Sequence, residues 1–169
     1  MSAFLSIPIL AIAAALQASF VPQVRLLGGG PDLVLLLVLS WSINSSLREA
    51  VTWAFVGGIM LDLLSYNPTG TSSAGLLIIV FAISGLGQRV HHIGFMMIIG
   101  LVLFGTLLQQ ITIMLILALT GYPIDLITGL TYVAAPTILY DLILIWPIYW
   151  FVRRTQKRTY RRDTQYSNG

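Results

Sequence analysis

Cysteine is absent from this 169-residue sequence, and charge is scarce: Asp, Glu, Lys and Arg together make up 9%. The first absence excludes disulfides, thiol catalysis and Cys-based metal sites. The second excludes an ordinary soluble domain, which carries about 25% charged residues. With 57% hydrophobic residues, a chain of this size has more apolar surface than a water-facing fold can hide. A phosphate loop, a dinucleotide fingerprint and a nucleophile–base constellation are also missing. The two histidines, His91 and His92, are adjacent and have no Glu, Asp or further His nearby, so no metal site is expected. No cofactor is expected either.

What is present is a series of long apolar runs. Six can be read, at roughly 4–21, 32–46, 50–66, 73–88, 93–119 and 127–152. Each spanning helix needs about 20 apolar residues for a hydrocarbon core about 30 Å thick. The breaks are chemical: Gly28-Gly29-Gly30-Pro31, then Asn44-Ser45-Ser46, then Asn67-Pro68-Thr69-Gly70, then Gln88 to His92, then Gly121-Tyr122-Pro123. The runs lack the period-2 alternation of an outer-membrane barrel. The expected fold is all-α, a polytopic transmembrane helix bundle of about six spans. It occupies residues 1–152, followed by a basic cytoplasmic tail at 153–169. The second and third segments read as an antiparallel hairpin. The first resembles a signal-peptide core between Leu5 and Leu16, but no positive charge precedes it, so a retained helix is the preferred reading.

Charge distribution gives the orientation. Of nine Lys and Arg residues, six lie in the tail: Arg153, Arg154, Lys157, Arg158, Arg161 and Arg162. With six spans and a cytoplasmic tail, these six join Arg48 and Arg89 inside, leaving only Arg25 outside. Basic residues concentrate on the cytoplasmic side, so both termini are placed there. The tail is expected to face anionic membrane lipids, at about 1 kcal/mol per basic group. Nothing folded presents these charges to nucleic acid, which is excluded as a partner.

Carboxyl groups within apolar segments are costly and are functional candidates. Asp62 and Asp141 qualify. As an aspartyl pair for intramembrane hydrolysis they fit poorly, because Gly57-Gly58-Ile59-Met60-Leu61-Asp62 is not a Gly-x-Gly-Asp motif. No catalytic residue is therefore assigned. Ala50, Ala54, Gly58 and Asp62 recur every four residues and share one helix face. Small residues at that spacing permit close backbone approach, and a polar group there bonds across the contact for about 0.6–2 kcal/mol. This face is expected to pack on another helix or on a partner. Asp32, directly after Pro31, suits a helix start. Gln109 and Gln110 are expected to pack against other helices.

The order and spacing of several short stretches resemble the rod shape-determining MreD family, from about Pro31 to Arg154. These are Pro31-Asp32-Leu33-Val34-Leu35-Leu36; Phe55 to Leu64, with Gly58-Ile59-Met60-Leu61-Asp62-Leu63-Leu64 the most specific part; Asn67-Pro68-Thr69-Gly70; and Pro136, Tyr140-Asp141, Pro147 and Arg153-Arg154. The family leads one to expect an uncharged polar residue such as Asn where Asp141 stands. The resemblance implies a non-enzymatic inner-membrane scaffold of the bacterial cell-elongation machinery. Its implied partners are MreC, RodA with its penicillin-binding-protein partner, and the MreB filament directly or indirectly. The scaffold would link the cytoskeleton to peptidoglycan synthesis. The alternative is a substrate-binding S component of an energy-coupling-factor vitamin transporter, also a small six-helix bundle. Against it, the outer loops near 22–31, 66–72 and 120–126 are short and poor in polar and aromatic groups that would converge on a ligand.

Overall fold

The computed structural model describes residues 2–24, 29–43, 45–64, 70–87, 95–121 and 130–166. Among them are six α-helices: α1 (Ser2–Val24), α2 (Leu33–Ile43), α3 (Leu47–Leu64), α4 (Thr71–Gly87), α5 (Phe95–Leu119) and α6 (Ala135–Tyr166). A single π-helical turn, Leu130–Ala134, leads into α6. The protein is an all-α membrane helix bundle. Ser6–Val24, Met96–Leu119 and Thr131–Gln156 are long and apolar enough to cross a bilayer.

The helix boundaries follow local chemistry. Asp32 caps α2, and its carboxyl accepts the Leu35 N–H at 3.0 Å. Ser46 opens α3 by accepting the Glu49 N–H at 3.5 Å. Gly121, at φ +82°, takes the left-handed conformation that commonly ends a helix. Pro136 stands where the π-helical turn passes into α6, and it contributes no N–H to that junction.

The organising element is α2. It has eleven residues, about 16 Å of helix, which is half the hydrocarbon thickness. The sequence reading of 32–46 is longer, because hydropathy alone does not register that Asp32 is a cap and that helix ends by Ile43. Every side chain from Val34 to Trp41 is buried. Such a helix is apolar all round and belongs inside a bundle. It packs against α1, α3, α4, α5 and α6, while α1 packs on α3, α3 on α4, α4 on α5 and α5 on α6. The outer faces of the ring carry exposed apolar residues such as Ile12, Phe20, Leu115, Ile143 and Trp146, as a lipid-facing surface requires. Leu10, Ala13 and Ala14 of α1 belong to the main core, so α1 is built into the bundle.

At one end of α2, Trp41 stacks on Trp53 of α3, with ring centroids 3.9 Å apart and planes 13° from parallel. The other end, where the chain leaves α1 and later leaves α3, holds the polar groups described next.

Candidate functional site

Because α2 is short, its first turn starts beneath the surface of the bundle. Helix starts leave backbone N–H groups without intrahelical partners, and no water is at hand in hydrocarbon to satisfy them. Helices α1 and α6 and the cap residue Asp32 supply the partners, and α5 braces one of them. Gln17 of α1 accepts the Val34 N–H on Oε1 at 3.0 Å and donates from Nε2 to Asp32 Oδ1 at 3.0 Å. Asp32 Oδ1 also accepts Leu35 N–H. The Asp32 N–H donates to Asp141 Oδ1 of α6 at 2.9 Å. Asp141 Oδ2 accepts the Thr106 hydroxyl of α5 at 2.8 Å. Asp141 is fully buried, and both its oxygens are engaged.

The same end of the bundle is tied further. The Tyr140 hydroxyl donates to the carbonyl of Val24, the last residue of α1, at 2.8 Å, which closes the ring between α6 and α1. Gly29 lies against Val133 and Thr137, and a Cβ there would overlap the Val133 carbonyl. Pro31 is buried beside it.

Asp62 performs the same task for α4. From the last turn of α3 it accepts Gly70 N–H at 2.8 Å, Ser72 N–H at 2.9 Å, Ser73 N–H at 3.4 Å and the Ser73 hydroxyl at 3.0 Å. Gly70 itself has φ +101°, a conformation costly for any residue with a Cβ. One turn before Asp62, Gly58 meets the backbone of Ser73 so closely that a Cβ would overlap it. Ala50, Ala54, Gly58 and Asp62 are all buried within the chain. Farther along, Gln109 is buried and rests against Gly75 of α4, while Gln110 is half-buried.

The three carboxyl groups singled out in the sequence thus meet different partners. Asp32 and Asp141 share one network, and Asp62 belongs to another. No hydrogen bond joins Asp62 to Asp141 among the described residues. Arg153 and Arg154 are exposed on α6, and the Arg154 guanidinium lies over the Trp150 ring, 5.1 Å from its centroid. Lys157, Arg158, Arg161 and Arg162 stand on the same helix, with side chains outside the described residues. Pro68, His91 and His92 also lie outside them.

Sequence reasoning passed over Gln17, Thr106, Ser72 and Ser73. Gln17 had a readable signal, being the lone amide amid Ala13-Ala14-Ala15-Leu16 and Ala18. Its partners, the Asp32 carboxyl and the Val34 main-chain N–H, lie 15 and 17 residues away, and that pairing left no mark in the sequence.

Together these features define a polytopic membrane protein whose embedded polar side chains hold helix ends in place around a short central helix. The family model for the rod shape-determining protein MreD matches residues 1–158, and the chain belongs to the MreD family. Membership gives it a role in rod shape determination. No curated protein and no solved structure matches the chain.

Proposed function

We propose that this protein is a non-enzymatic scaffold of the cell-elongation complex in the bacterial inner membrane. It binds MreC and, with RodA and its penicillin-binding-protein partner, connects the MreB filament to peptidoglycan synthesis. The family match across residues 1–158 carries this reading. The chemistry of the buried carboxyls supports it: Asp32, Asp62 and Asp141 each accept hydrogen bonds from the protein itself, an arrangement suited to holding a fixed shape.

Both termini lie in the cytoplasm in this reading, with the first basic pair, Arg153 and Arg154, at the level of the lipid headgroups. The neighbouring Trp146, Tyr149 and Trp150 form the aromatic belt expected there. Reporter fusions after Pro68 and after Arg162 report opposite sides of the membrane. A periplasmic signal from the C-terminal fusion overturns the orientation.

The decisive experiment is co-expression with MreC and purification in mild detergent. A stable complex is the expected result. Failure to co-purify would remove MreC as a direct partner.

A further inference from the structure

The helix α6 does not end where its apolar stretch ends. The apolar run reaches Val152 and the basic residues begin at Arg153, yet the helix continues to Tyr166. The six basic residues of this end fall at 153, 154, 157, 158, 161 and 162. On a helix they form two columns of four-residue spacing, 153/157/161 and 154/158/162. At about 100° per residue these columns lie side by side and fill roughly half the helix circumference.

The rotation of α6 is fixed by two other residues. Val152 is buried, and Gln156 donates from Nε2 to the carbonyl of Trp41 at 3.2 Å. Both register positions lie on the side of the helix opposite the basic columns. Asp163, the acidic residue of this stretch, is seven positions after Gln156 and shares its register rather than that of the columns. The basic positions therefore share the register of Arg153 and Arg154, which are exposed, opposite the register of Val152 and Gln156.

The columns run along the helix axis. From Arg154 to Arg162 the axis advances about 12 Å, more than the Debye length of about 8 Å at physiological ionic strength. A flat anionic leaflet meets a helix that leaves the membrane end-on, and so faces the first rung of this ladder. A second helix lying alongside, with acidic residues at four-residue spacing, faces every rung.

We propose that the basic half of α6 beyond Gln156 is a docking surface for an acidic helix of a partner protein, laid lengthwise against the extension. This surface is separate from the membrane-embedded bundle, and the inference does not depend on the MreC reading.

The test uses the full chain in nanodiscs of phosphatidylcholine. The probe is a fluorescent synthetic helical peptide with glutamates at i, i+4 and i+8 on one face. The control peptide has the same composition with its glutamates spread around the helix. The aligned peptide is expected to bind about tenfold tighter than the control, a difference of one decade in Kd. A charge-preserving variant exchanges neighbours, Arg158→Thr with Thr159→Arg and Tyr160→Arg with Arg161→Tyr. It should lose that preference at unchanged net charge. Should this variant fold poorly, Arg162→Gln, remote from the bundle, should still weaken aligned-peptide binding several-fold. Equal binding of the two peptides, or an unchanged preference in the exchanged variant, overturns the proposal. So does complete loss of peptide binding once phosphatidylglycerol is added to the nanodisc, which would assign the ladder to lipid.

Discussion

The backbone N–H of Asp32 donates to the carboxyl of Asp141 at 2.9 Å, across 109 positions of sequence. Through this bond the first turn of the central helix is held by the last helix of the bundle. The same carboxyl holds α5 through Thr106. A single buried side chain thereby sets the relative positions of α2, α5 and α6.

Asp141→Asn should be well tolerated. Its amide oxygen still accepts Asp32 N–H, and the Thr106 hydroxyl can turn to accept from the new NH2. Asp141→Leu leaves both donors without partners, at about 1–3 kcal/mol for each orphaned group. Thermal unfolding in mild detergent separates the two. Equal stability of the Leu variant and the parent would show that the network does not brace the bundle.

Gln17 serves α2 with both ends of its amide. Gln17→Leu keeps the volume and should cost about 1–3 kcal/mol by orphaning Val34 N–H. Gln17→Glu retains an acceptor for Val34 but turns an oxygen toward Asp32. It should be no better than the Leu variant, and worse if both carboxyls are ionised. Denaturant titration of the purified protein gives the order. A fully stable Glu variant contradicts the amide geometry.

At the α3–α4 contact the structure raises one expectation. Sequence reasoning gave Asp62 a single cross-helix bond of modest worth, whereas the folded chain directs four donors at it. Asp62→Asn replaces an acceptor oxygen by a donor and should cost roughly 2–5 kcal/mol, several times a single buried hydrogen bond. Gly58→Leu should be at least as damaging, because even a Cβ overlaps the Ser73 backbone. Yield of folded protein and rod shape in a complemented strain provide the readout. If Asp62→Asn folded and assembled normally yet abolished function, Asp62 would need a chemical role.

Much of the architecture was legible because hydrophobic length and punctuation are local properties. Asn44-Ser45-Ser46 and Gly121 mark helix ends by their own chemistry, and the four-residue spacing from Ala50 to Asp62 marks a buried face. The central place of α2 was less legible. Leu33-Val34-Leu35-Leu36-Leu37-Val38-Leu39 is equally apolar whether lipid or protein surrounds it, so composition does not distinguish a peripheral span from a core helix. The helix-start network was legible only at Asp32, where cap and helix are neighbours. Gln17 reaches the main-chain N–H of Val34, and main-chain atoms are the same in every residue but proline; Thr106 meets the Asp141 carboxyl 35 positions away, a separation with no periodicity to betray it.

The distance in sequence between Asp32 and Asp141 is also a distance in time. At the ribosome's pace of about 5–20 residues per second, the 109 intervening positions take on the order of 5–20 s to synthesise. Throughout that interval α2 has entered the membrane without the helix that completes its first turn, and at eleven residues it is too short to settle there as a span of its own. The newborn chain must therefore keep α2 sheltered, by α1 and α3 or by the insertion machinery, until α6 emerges.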